Sequence, residues 1–161
     1  MAVNKTLATY LNDHLAGSVA GRDLARKLAN HHAGTTIGPQ LSELAADIET
    51  DQITLADLMD RLGVPKDVFK QAGSWTVEKL GRLRFVPQLT GSPALSLFME
   101  LEMLSMGVHG KRSLWQALRE VATVHPALAD VDLDTLVKRA EDQLDRLERL
   151  RLLHATPTLT A

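Results

Sequence analysis

Four stretches of this chain carry residues recurring at alternating spacings of four and three, which places each set on one face of an α-helix and leaves little room for any other fold. The first predicts a helix from about Lys5 to Asn30 with the line Leu7, Leu11, His14, Ser18, Gly21, Ala25 and Leu28. Asn4 is a capping residue type before it, and Gly34 a stop after it. The second, from about Pro39 to Leu62, carries Leu41, Leu44, Ile48, Asp51, Leu55, Leu58 and Leu62, with Gly63 as its stop. The third follows Pro93 and runs to about Thr123 through Glu100, Leu104, Gly107, Lys111, Leu114, Leu118 and Val121. The fourth, from about Asp134 to His154, carries Leu136, Ala140, Leu144, Leu147 and Arg151, with Leu133, Val137, Leu150 and Leu153 beside them. Few aromatic residues and many Leu and Ala agree with helices rather than strands.

Loop lengths constrain how these helices connect. Short links join the first to the second and the third to the fourth, so each pair is expected to form a hairpin. Residues 63–92 are bounded by Pro and Gly and read as a long helical crossover between helices two and three. The prediction is an all-α, antiparallel four-helix bundle of one domain spanning 1–161, with residues 155–161 as a loose tail. A chain of 161 residues can bury such a core without disulfides, and it has no cysteine to form them.

Charge narrows the partners. Eighteen basic and 20 acidic side chains give a net charge of −2, which supplies no field for nucleic acid or an anionic membrane. The first residues lack the basic-then-apolar pattern of a leader, and no stretch reads as a membrane span, so a cytoplasmic location is expected. Lys79, Arg82 and Arg84 with Trp75 form the one local basic-aromatic patch, read as a solvated face of the crossover.

The stretches YLNDHLAGSVAGRDLARKLA and LSELAADIETDQITLADLMDRLG, taken with the crossover, resemble the helical hairpin of stress-associated, ferritin-like bundle proteins. The resemblance implies a ferritin-like bundle, and with it a di-metal centre built from a Glu on two helices and Glu-x-x-His on the other two. This chain departs from that pattern, because no Glu-x-x-His occurs: Glu43, Glu49, Glu100, Glu102 and Glu141 are followed three residues on by Ala46, Gln52, Met103, Ser105 and Leu144.

The polar residues on the apolar lines are therefore the ones to weigh. His14, Asp51 and Glu100 are the candidate ligands for iron or manganese, since imidazole and carboxylates suit such ions. Lys111 opposes that reading, because an ammonium competes with a metal cation for the same carboxylates. The preferred expectation is a buried ion pair between Lys111 and Asp51, Glu100 or both. Asp47 and Glu49 read as a solvated flank, and His31 and His32 as groups at a helix end where imidazoles meet free carbonyls. Gly17, Gly21, Gly107 and Gly110 each cost about 1 kcal/mol relative to alanine inside a helix. Close helix approach is the preferred reason for them; space for a ligand or for Trp115 is the other.

No nucleophile, base and orienting group can be assembled from the spacing, so no catalytic residue is assigned. The expected function is a non-enzymatic structural or interaction bundle without a cofactor or a complete di-metal centre, with hydrophobic surplus on helices one and four suited to a homodimer or a protein partner. The alternative is a degenerate metal-binding or redox protein of the ferritin-like class.

Overall fold

Asn4 opens the first helix by accepting a hydrogen bond from the Thr6 N–H at 2.9 Å, and α1 then runs Lys5–His31. The computed structural model describes residues 4–67 and 92–161. The second helix, α2, spans Gly38–Arg61; α3 spans Pro93–Ala122 behind the cap Ser92; and α4 spans Leu133–Leu159 behind the cap Asp132. A short 3-10 helix, Pro126–Leu128, lies between the last two. Among the described residues there is no strand, and no helix is long and apolar enough to cross a membrane.

The α2 terminus shows how sequence fixes a helix end. Gly63 adopts a φ of 66°, its N–H reaches the Asp60 carbonyl at 3.0 Å, and the Val64 N–H reaches Met59 at 2.9 Å. Glycine enters this left-handed region without steric cost, and the paired bonds satisfy carbonyls the helix would leave open. Val64 and Met59 are both buried in the core, so the turn ends on apolar side chains. Asn12 then fixes the departing chain: its side chain donates to the carbonyls of Ala8 and Pro65, at 2.9 and 3.0 Å, and accepts from the Asp67 N–H at 2.8 Å. A buried amide on the first helix thus holds the backbone that leaves the second.

The four apolar lines meet in one core. Leu11, Leu15 and Leu28 of α1 join Leu41, Leu44 and Leu58 of α2, Leu101, Leu104 and Leu118 of α3, and Leu136, Ala140 and Leu147 of α4. Each buried leucine contributes about 1.5–3 kcal/mol relative to an exposed one. Helix α1 packs on α2 and on α3, and α3 packs along α4. Helix α2 meets α4 through long polar side chains, described below.

Two expectations about the chain's ends and glycines need correction. Residues 155–161 are not a loose tail: α4 continues through Pro157 to Leu159. Proline removes one backbone N–H and its ring crowds the carbonyl four residues back, yet the helix continues past it, and the Thr160 N–H reaches the Thr156 carbonyl at 3.2 Å. Nor, among the described residues, do Gly17, Gly21, Gly107 and Gly110 serve close helix approach. A β-carbon on any of them would find no atom of another part of the described chain within 4 Å. Most of the crossover, with Trp75, Lys79, Arg82 and Arg84, lies outside the described residues.

Candidate binding cleft and buried ion network

Asp51 stands on the buried line of α2 and is 1% exposed, so its charge must be compensated by neighbours rather than by water. Its Oδ2 accepts from Lys111 Nζ of α3 at 2.6 Å and from Gln143 Nε2 of α4 at 2.8 Å. Its Oδ1 lies 2.8 Å from a guanidinium nitrogen of Arg139, in an ion pair that lacks hydrogen-bond geometry. Lys111 also donates to the Gln143 side-chain oxygen, so lysine, glutamine and aspartate close a ring of three bonds. Arg146 of α4 pairs with Asp47 one turn before Asp51 on α2. These contacts tie α2, α3 and α4 together at one point of the core.

Glu100 takes no part in this network. It is 8% exposed and pairs across the α1–α3 contact with Lys27, at 2.5 Å. His14 is half-buried on α1 and its ring meets Tyr10 edge-on, with centroids 4.6 Å apart. Burial holds its imidazole below the ordinary histidine range, partly opposed by the charge of Asp13. Glu49 pairs with Arg26 at the surface. His31 and His32 stack edge-on at the end of α1, where the His32 N–H rather than an imidazole reaches the Leu28 carbonyl, at 3.1 Å.

The donor set does not fit a metal ion. Asp51, the most deeply buried carboxylate among the described residues, is already held by an ammonium, a guanidinium and an amide, and Glu100 is held elsewhere by Lys27. A cation would have to displace Lys111 and would then face Arg139. Among the described residues, no three His, Asp or Glu side chains gather as a ligand set.

Beside the network lies a cleft of about 330 Å³ between α1, α2 and α3. Gly17, Gly21, Gly107 and Gly110 line it with bare backbone, and Leu55, Leu104, Val108 and Leu114 supply apolar surface. Asp51, Lys111, His14 and Asp13 also border it. Trp115 belongs to the same wall; it is fully buried, and its indole N–H has no acceptor among the described residues. Glycines read as contacts in the sequence are thus the walls of an open space.

Gln143 and Arg139 are not among the residues weighed in the sequence. Gln143 nevertheless carries a signal: Leu136, Ala140, Gln143, Leu147 and Leu150 follow spacings of four, three, four and three, and Gln143 is 1% exposed. Arg139 carries none, since it reaches inward from the flank of α4 with its side chain 34% exposed.

Burial pushes Lys111 below the ordinary lysine range, outweighing the opposing charge and hydrogen bond of Asp51. In the unfolded chain it returns toward its ordinary value of 10.5, so in the interval between the two the unfolded state holds more protons. Stability from this group therefore rises with pH across that interval, and the cost of the buried ammonium is fully present below it. The stability of the natural chain relative to Lys111→Met is expected to increase as pH is raised from neutral through the alkaline range, measured by urea unfolding at several pH values. A difference independent of pH would count against a depressed lysine.

Comparison with protein-family models, with curated proteins and with solved structures finds no match to this chain.

Proposed function

We propose that this chain is an antiparallel, ferritin-like bundle in which an organic ion network stands where that class carries metal ligands, and that it acts by binding rather than by catalysis. The observation that carries this reading is the saturation of Asp51 by Lys111, Arg139 and Gln143. Support for the antiparallel arrangement comes from the order of contacts: Arg22 meets Gln52 while Arg26 meets Glu49, so advance along α1 is retreat along α2. The same holds between α3 and α4, where Arg119 meets Asp134 and Glu102 meets Arg151.

The test is calorimetric titration of the purified chain with iron(II), manganese(II) and zinc(II), followed by metal analysis after desalting. The expected result is less than roughly 0.1 equivalent retained, because a di-metal centre needs free carboxylate ligands. Stoichiometric, tight binding lost in Asp51→Asn would instead establish the degenerate metal-binding or redox reading.

A further inference from the structure

An ammonium carries three N–H donors, and Lys111 directs two of them into the network, one to Asp51 Oδ2 at 2.6 Å and one to the Gln143 side-chain oxygen. The third has no acceptor among the described residues. Lys111 also lines the cleft between α1, α2 and α3, where it is the only amine among the described lining residues. Its side chain is 14% exposed, and the space it borders is walled by Ile48, Leu55, Leu104 and Leu114. Burial favours the neutral, nucleophilic form of such an amine, and Asp51 opposes this only in part. A desolvated lysine beside an apolar space is the arrangement that forms imines with carbonyl compounds.

The surroundings narrow the chemistry further. Acylation would abolish the positive charge and leave the buried Asp51 carboxylate with Arg139 as its one cation. Condensation with a carbonyl compound gives an iminium, which keeps the charge and so keeps Asp51 compensated. An aldehyde, with a hydrogen on its carbonyl carbon, suits a nitrogen already held by two side chains better than a ketone. The cleft volume of about 330 Å³ and the apolar walls call for a compact hydrocarbon group on that aldehyde.

We propose that Lys111 is a covalent capture site for a compact apolar aldehyde, held in the cleft as an iminium with Asp51 as its counter-ion. The ammonium first releases one proton to solvent. The nitrogen lone pair then bonds to the carbonyl carbon, and a proton passes from nitrogen to oxygen to give the carbinolamine. Uptake of one proton expels the hydroxyl as water, so ammonium and aldehyde become iminium and water with no oxidant or reductant. The iminium retains a single N–H, which stays on Asp51, while the Gln143 amide keeps its own bond to the same oxygen. This rests on the ion network of the reading above; metal titration tests that reading, and the labelling below uses chain stripped of metal by a chelator, so the two fail separately.

The full chain is incubated with benzaldehyde and cyanoborohydride, which reduces an iminium to a stable benzylamine, and the labelled lysines are located by peptide mass mapping. Lys111 is expected to label about tenfold or more faster than the exposed Lys27, Lys66 and Lys138. Its rate alone is expected to saturate with benzaldehyde, because binding in the cleft precedes bond formation. Formylbenzoate is expected to lose the preference for Lys111, since its carboxylate would have to enter an apolar space. Gly107→Leu, whose folding is checked by circular dichroism, is expected to slow labelling of Lys111 at least about tenfold by filling the cleft, with the exposed lysines unchanged. Gly21→Leu serves the same purpose from the opposite helix. The proposal is overturned by a natural chain in which Lys111 labels no faster than the exposed lysines, by a Lys111 rate that rises linearly with benzaldehyde, or by labelling that keeps its rate in a folded leucine variant.

Discussion

Asp51→Ala is expected to destabilise the chain by roughly 3–5 kcal/mol, the loss that follows when one member of a buried ionic cluster is removed and its partners stay behind. Lys111 would be left with its ammonium mostly buried and only the Gln143 oxygen as a partner. Arg139, one-third exposed, can turn toward solvent and adds less. The companion variant replaces Asp51 and Gln143 by leucine and Lys111 by methionine, removing the cluster together with its desolvation cost. It is expected to recover most of the loss, because apolar replacements of similar volume satisfy the core without stranded charge. Urea unfolding of the natural chain, the single variant and the triple variant measures both effects. A loss below about 1 kcal/mol in Asp51→Ala would show that Asp51 is solvated in the folded chain.

Alanine at Gly17, Gly21, Gly107 and Gly110 is expected to stabilise the chain by up to about 1 kcal/mol at each position, because helix propensity rises and no atom of the described residues lies in the way of the added methyl. The opposite sign is expected at Gly38. A β-carbon there would lie 2.5 Å from the His32 carbonyl oxygen and 2.8 Å from that of Ala33, so Gly38→Ala must push apart the turn between α1 and α2. A loss of about 1–3 kcal/mol is expected there. Thermal and urea unfolding of the five single variants read the contrast. Destabilisation by alanine at Gly21 or Gly107 would mean that the helices close over the cleft.

The contrast also shows what the sequence can and cannot disclose. Helix ends were legible because their chemistry is local: Asn4 caps α1, and Gly63 turns the end of α2. The buried lines were legible because apolar spacing follows helix geometry. Glycine is different, since the same residue type marks a crowded turn at Gly38 and open space at Gly107. The path of the turn before α2 crowds Gly38, whereas at Gly107 the described residues leave space, and neither can be read from the residue type. The candidate site divides in the same way. Asp51 and Lys111 stand out as charges on apolar lines, whereas the partner of Glu100 is Lys27, an exposed residue that no pattern on α1 distinguishes. Gln143 sat on a legible line but is neither apolar nor charged, so it attracts attention only once Asp51 is seen beside it.

Asp51 has no partner among its described neighbours on its own helix; its three come from α3 and α4. That division bears on register. Leucines recur so regularly along α4 that sliding it by one turn against α2 would still set apolar side chains against apolar side chains. The slide would place Arg139 or Leu147 where Gln143 stands, and the Asp51 carboxylate would lose its amide donor. Leucine patterning brings the helices together, while one glutamine and one lysine determine which of several near-equivalent alignments is the native one.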